Sequence, residues 1–179
     1  MKSFNKKIFV AGSGGQGVLF LGKLLYLTAV RNGYNAMYFP SYGAEVRGGT
    51  TKCLLTVSTG RIATPLFTKA DEAIILNPLS LMKYKSWIQT CSSIIVFQNK
   101  KGKLRPLNKD QNIYTFSCNE VPSFENVRST ALYSHFAEWF TDKDILHCLA
   151  FVLKEKSPAL LEKNKQVFSE SFNEAQADI

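Results

Sequence analysis

Lys7-Ile8-Phe9-Val10-Ala11-Gly12-Ser13-Gly14-Gly15-Gln16-Gly17-Val18 is the stretch that decides the fold. A short apolar run ends at Ala11, four glycines fall in the next six residues, and an apolar-periodic segment follows with Val18, Leu21, Leu24, Leu25 and Ala29 and no proline. That order predicts a strand, a tight turn and a helix. Glycine carries such a turn because it takes positive φ at little cost and has no side chain to hold a neighbouring backbone away. The unpaired N–H groups of the first helical turn, with the positive end of the helix dipole behind them, then face whatever lies against the loop.

Gly12, Gly14 and Gly17 match G-x-G-x-x-G between a strand and a helix, the context of a dinucleotide fingerprint. That fingerprint needs a carboxylate about 20 residues further on, at the end of the second strand, to hold the ribose hydroxyls. Here the second strand reads Asn35-Ala36-Met37-Tyr38-Phe39-Pro40 and ends without an acid, and Glu45 comes later, inside another glycine cluster. Ordinary dinucleotide binding is disfavoured on that ground. A turn that only lets the helix pack on a sheet, and one that offers backbone N–H groups to an anion or a partner, both fit the pattern.

Downstream, the first helix is expected from about Gln16 to Asn32, where Asn32-Gly33 supplies a left-handed stop, and Gly22 would permit close approach to a strand. Further strands are predicted at Thr51 to Ser58, Glu72 to Leu76, Ser92 to Gln98 and Asn112 to Ser117, all short and dense in apolar and β-branched residues. Pro78 to Trp87 reads as a helix capped by Asn77. Asn99 to Gln111 reads as a connection projecting from the sheet edge. From Glu125 the pattern turns helical, with a stripe of Val127, Ala131, Leu132, Phe136 and Phe140. Asp142-Lys143-Asp144 is expected to cap Ile145 to Lys154, and Ser157-Pro158 to open a last helix whose polar end frays after Ser171. Strands alternating with helices, then a helical closing section, predict an α/β layered fold with a mostly parallel sheet, read as a single domain over residues 1–179. Both glycine clusters fall at the carboxyl ends of strands, where ligands and partners of such sheets gather.

Composition narrows the chemistry. The apolar run breaks at Gly12, too early for a signal peptide or a membrane span, so a cytoplasmic protein without membrane attachment is expected. Cys53, Cys91, Cys118 and Cys148 are dispersed, with no C-x-x-C pair and neither His135 nor His147 at zinc-finger spacing. No metal centre is expected, and the thiols read as small buried side chains. The net charge of +8 is concentrated in part at Lys100, Lys101, Lys103, Arg105 and Lys109. No aromatic residue interleaves with that run, so it reads as a solvated loop or a seat for an acidic partner or anion, and not as a nucleic-acid surface.

The second glycine cluster, Ser41-Tyr42-Gly43-Ala44-Glu45-Val46-Arg47-Gly48-Gly49-Thr50, places an aromatic, a carboxylate and a guanidinium among three glycines. Glu45 and Arg47 can pair locally, or Arg47 can turn its planar fork to a carboxylate or phosphate.

Gly12-Ser13-Gly14-Gly15-Gln16-Gly17-Val18, followed by Pro40-Ser41-Tyr42-Gly43-Ala44-Glu45-Val46-Arg47-Gly48-Gly49-Thr50, resembles the gamma subunit (gamma domain) of 2-oxoacid:ferredoxin oxidoreductases. Ile62-Ala63-Thr64-Pro65 and Ile74-Ile75-Leu76-Asn77-Pro78-Leu79-Ser80 continue in the same order, and Asn164 and Phe168 resemble the family's closing segment. The motif forms are most similar to the 2-oxoglutarate branch, with the branched-chain 2-oxoacid branch next. The resemblance implies a Rossmann-like domain within a larger assembly that decarboxylates a 2-oxoacid, reduces ferredoxin and passes the acyl group to coenzyme A. It places thiamine diphosphate, magnesium and iron–sulfur clusters on thiamine-binding alpha and beta subunits and a ferredoxin-type subunit, with no cofactor held by this chain alone. No residue here is a candidate for bond-making. Gly12, Gly14, Gly15, Gln16, Gly17, Tyr42, Gly43, Glu45, Arg47, Gly48 and Gly49 are expected to form loops that meet sister subunits or help seat coenzyme A. The chain departs from the family in its lysine-rich middle and in Tyr133, His135 and Trp139, where small residues are usual. The competing expectation is a free-standing nucleotide- or dinucleotide-binding Rossmann-like protein.

Overall fold

The computed structural model describes residues 4–41, 49–98, 104–117, 124–154 and 157–178. Six strands, β1 (Asn5–Ser13), β2 (Asn35–Ser41), β3 (Thr50–Ser58), β4 (Glu72–Ile75), β5 (Ser93–Gln98) and β6 (Asn112–Ser117), form one sheet in the order β2-β3-β1-β4-β5-β6. β1, β4, β5 and β6 are parallel neighbours, whereas β3 runs antiparallel between β1 and β2. The short link from β2 to β3 explains that insertion, since a parallel crossover needs a dozen or more residues. The strand directions thus match the expected mostly parallel sheet, with one reversed strand.

Helices cover both faces. α1 (Val18–Arg31), α4 (Glu125–Ser134), α5 (Asp142–Leu153) and α6 (Pro158–Asp178) build one core with Ile8, Val10, Ile74 and Ile95. α2 (Pro78–Lys83) and α3 (Lys85–Ile88) build the other with Phe9, Ala11, Ile75 and Val96. Residues alternate between the two cores along β1, and because both faces are covered Ile8 to Ala11 are all fully buried. That is why the sequence shows a continuous apolar run there instead of alternation.

α1 ends as expected: Gly33 has φ 79°, and Tyr34 N–H reaches back to the Ala29 carbonyl at 3.0 Å. At Gly22 a Cβ would collide with Cys53 Sγ and lie 2.8 Å from Tyr38 Cε2, so the helix lies directly on β2 and β3. At the amino ends of β1 and β4, Glu72 takes Lys6 Nζ at 2.7 Å on one oxygen and the buried Tyr133 hydroxyl at 2.6 Å on the other. Burial works against the Lys6 charge, but the Glu72 hydrogen bond and charge outweigh it and hold Lys6 above its ordinary value. Burial, with Glu72 beside it, pushes Tyr133 well up. Tyr133 and Trp139 serve this anchor together, since Trp139 Nε1–H donates to Tyr133 Oη at 3.4 Å.

Four sequence expectations need correction. The helix foreseen over Pro78 to Trp87 breaks at Tyr84 into α2 and α3. The cap of α5 is Thr141, with Asp144 at the third helical position closing a capping box. The last helix continues to Asp178 without ending at Ser171. Residues 104–111 do not project: the buried Gln111 amide donates to the carbonyls of Ile88 and Cys91, both at 3.0 Å, and Leu104 and Leu107 pack on the second core. Lys100, Lys101, Lys103 and Cys118 lie outside the described residues.

Burial pushes the Cys53 and Cys91 thiols from an ordinary 9.0 up to about 12. The folded chain keeps these protons where the unfolded chain releases them, so stability is full below pH about 9 and declines as pH rises toward 12, by about 1.4 kcal/mol per unit per thiol. Urea denaturation from pH 7 upward is expected to show a falling midpoint beginning near pH 9, with a shallower fall in Cys53→Ala. Gly22→Val is expected to cost about 1–3 kcal/mol or more by overpacking against Cys53, read in the same titration at pH 7.

Candidate functional site

The first glycine motif meets the end of the second where the carboxyl end of β1 lies beside the amino end of β3. Gly14 N–H donates to the Gly49 carbonyl at 3.0 Å, which extends the β1–β3 ladder beyond the Ser13–Thr50 pair. Thr50 Oγ1 is in turn held by Lys83 Nζ at 2.6 Å and by the Tyr84 hydroxyl at 3.1 Å. The end of the second cluster is therefore fixed to the first cluster and to α2.

One side chain organises this end of the sheet. Gln16 Oε1 accepts from Ser13 N–H at 2.8 Å and from Asn77 Nδ2, while Gln16 Nε2 donates to the Leu76 carbonyl at 3.0 Å. Asn77 Nδ2 also reaches Ser13 Oγ at 3.0 Å, and Asn77 Oδ1 accepts from Ser80 N–H at 2.7 Å to cap α2. Pro78 sits at the first helical position, where its missing N–H costs nothing. A glycine turn has no side chains of its own to lock it, so this amide network supplies the rigidity.

The glycines of the first loop differ in what requires them. Positive φ occurs at Gly15 (92°) and at Gly17 (76°), the residue that opens α1. Gly14, also expected to need positive φ, does not; the Gly49 carbonyl oxygen lies 3.7 Å from where its Cβ would be. A Cβ on Gly12 would meet Val18 Cγ2 at 2.8 Å, and one on Gly17 would meet Asn126 Cγ at 2.8 Å. Gly17 thus carries both constraints at once. Tyr42, Gly43, Glu45, Arg47 and Gly48 lie outside the described residues, so the proposed roles of Glu45 and Arg47 rest on the sequence.

Beside the first loop is a recess of about 240 Å³. Gly15 and Gly17 form one wall, Phe20, Leu153 and Leu160 the apolar part, and Glu125, Asn126 and Asn164 the polar part. Neither α1 nor α4 has a side-chain cap, and α4 opens on Phe124 in the left-handed region at φ 61°, so the amino ends of both helices border the recess. Glu125 is 8% exposed and stands in the first turn of α4, where the helix dipole favours its charge. Asn126 and Glu125 carried no sequence signal, because their meeting with Gly17 spans more than a hundred residues; Asn164 was visible only through the family resemblance. Among the described residues no group of three or more His, Cys, Asp or Glu could hold a metal ion, and no helix is long and apolar enough to cross a membrane.

Gln16→Leu is expected to keep the shape but strand the Ser13 N–H and the Leu76 carbonyl, at about 1–3 kcal/mol for each buried group left unpaired. Urea unfolding together with faster amide exchange at Ser13 and Gly14 checks this; unchanged exchange would mean that the glycine turn holds itself.

Comparison with known proteins follows the same outline. Ketoisovalerate oxidoreductase subunit VorA of Methanothermobacter thermautotrophicus is 37% identical over 78 residues, 44% of this chain and 16% of that protein. The chain therefore aligns with about a sixth of that relative's length. A keto/oxoacid ferredoxin oxidoreductase gamma subunit from Geobacter sulfurreducens superposes with a TM-score of 0.73 at 22% identity, covering 97% of this chain and 98% of that one. The 2-oxoglutarate:ferredoxin oxidoreductase of Magnetococcus marinus, determined with 2-oxoglutarate, coenzyme A and succinyl-CoA bound, superposes with a TM-score of 0.77 at 18% identity over 97% of this chain and 31% of that one. At those identities the superpositions establish the fold, and the sequence profile of pyruvate ferredoxin/flavodoxin oxidoreductase matches residues 7–174. With nearly its whole length matched, this chain belongs to the pyruvate ferredoxin/flavodoxin oxidoreductase family.

Proposed function

We infer that this chain is the gamma subunit of a 2-oxoacid:ferredoxin oxidoreductase, a part that shapes and closes an active centre whose chemistry is held by sister subunits. The observation that carries the reading is the joined rim: two glycine motifs tied by Gly14 and Gly49 and locked by Gln16 and Asn77. Next to that rim, Leu79 and Met82 share one side of α2 and stand 72% and 77% exposed. Apolar side chains so placed beside a rigid, nearly side-chain-free backbone surface suit a partner subunit pressed against it. Thiamine diphosphate, magnesium and iron–sulfur clusters are assigned to those partners.

The substrate assigned is 2-oxoglutarate, supported by the motif forms; ketoisovalerate is the substrate in the name of the VorA relative. Coenzyme A is the second substrate assigned. The recess beside Gly15 and Gly17 is smaller than the ~300 Å³ at which self-sufficient ligand pockets begin, so it suits part of a ligand completed by a partner's wall. A phosphate entering it would face Glu125 as well as the helix ends, so the recess suits a less charged portion of coenzyme A and Arg47 its phosphates. A free-standing dinucleotide binder fits less well, because β2 carries no acid from Asn35 to Ser41.

The test is co-expression with alpha, beta and ferredoxin-type subunits encoded nearby, followed by size exclusion and turnover of 2-oxoglutarate with coenzyme A. Wild type is expected to co-elute as one active complex. Leu79→Asp with Met82→Asp is expected to leave the isolated chain folded and abolish co-elution. Arg47→Ala is expected to assemble and raise the Michaelis constant for coenzyme A about tenfold or more, the scale of a lost desolvated charge pair. A stable wild-type monomer that ignores all three subunits and binds a dinucleotide would overturn the reading.

A further inference from the structure

The outer faces of α1 and α5 enclose an open groove of about 690 Å³ that shares no described lining residue with the recess at the glycine loop. Leu27, Ala150, Phe151 and Val152 make its floor, and Lys23 and Lys154 stand at its edge. Helical spacing produces the arrangement: Lys23 and Leu27 lie one turn apart on α1, and His147 and Phe151 climb a single face of α5 that Lys154, the residue capping its carboxyl end, continues. Phe151 is 73% exposed, and Val30, about a turn beyond Leu27 on α1, is 47% exposed. A phenyl ring left in water in the last turns of a helix, beside further apolar side chains, marks a contact surface more than a scattered surface residue does.

Charge selects the occupant. No carboxylate is found among the described lining residues, and neither Lys23 nor Lys154 has an ion-pair partner among the described residues. A second copy of this chain would bring lysine against lysine on a molecule that already carries +8. A trough between two helices is the shape that accepts a third helix by its apolar face. We propose that the groove docks an acidic amphipathic helix of a partner polypeptide, its apolar side on Leu27 and Phe151 and its carboxylates on Lys23 and Lys154. The proposal holds whichever 2-oxoacid the assembly uses, and it concerns a surface separate from the rim.

The probe is a synthetic peptide of about 15 residues, long enough to hold a helix, with leucines at i, i+4 spacing flanked by glutamates, and a twin with lysines in place of the glutamates. Added to the isotope-labelled full chain, the glutamate peptide is expected to bind with a micromolar dissociation constant, shifting amides of α1 and α5 and leaving those of α2 unmoved. Raising the salt is expected to weaken it. Phe151→Ser is expected to weaken binding at least about tenfold, and Lys23→Glu with Lys154→Glu to reverse the preference toward the lysine peptide, with the circular dichroism of both proteins unchanged. Equal binding of the two peptides, shifts confined to other surfaces, or binding to anionic phospholipid vesicles with neither peptide bound would overturn the proposal.

Discussion

The amide of Gln16 is the constraint on which this end of the molecule depends. A turn containing four glycines is cheap to form in many shapes and therefore poor at keeping one, because each glycine brings wide backbone freedom to the unfolded chain. Gln16 removes that freedom from within the turn: it grips its own loop at Ser13 and the end of β4 at Leu76 and Asn77, 60 and 61 residues away in sequence. Since Asn77 is also the cap of α2, the glycine turn, a strand end and a helix start become one unit. A turn that would be mobile in isolation becomes a fixed surface.

The other end of the strands is held by different chemistry. There Glu72 gathers Lys6 and Tyr133, with Trp139 behind the phenol, and so joins β1, β4 and α4. A carboxylate with a cation on one oxygen and a hydroxyl on the other has a partner at each oxygen, which makes its partial burial tolerable. With the sheet clamped there, backbone at the carboxyl ends can be given over to contact and not to packing. In the proposed assembly the contribution of this chain is shape.

Local features were legible in the sequence. The strand, turn and helix at residues 7–31, the Asn32-Gly33 stop, the Asn77-Pro78 cap and the remaining strands were all encoded within short windows, where backbone preference and periodicity act directly. Features set by distant contacts were not. The antiparallel insertion of β3 beside β1 is decided by which strand edges meet, and the backing of Gly17 by Asn126 depends on α4 arriving from the far end of the chain. The connection from Asn99 to Gln111 read as projecting because five of its residues are lysine or arginine, whereas in its described part, residues 104–111, one buried glutamine, Gln111, and two leucines decide the path. At the site, residue types singled out both glycine motifs, of which Gly14 and Gly49 are bonded to each other, but the recess polar groups Glu125 and Asn126 could not be seen without the fold.

The central claim is that the locked rim is the face this chain gives to an assembly. Hydrogen–deuterium exchange of the chain alone and within the purified complex tests it most directly. The account predicts new protection concentrated at residues 12–17 and 77–82, with the outer edge of β2 and the amino ends of β1 and β4 exchanging as in the free chain. Protection confined to the β2 edge or to the Glu72 end of the sheet, with the glycine rim still exchanging freely in the complex, would contradict it.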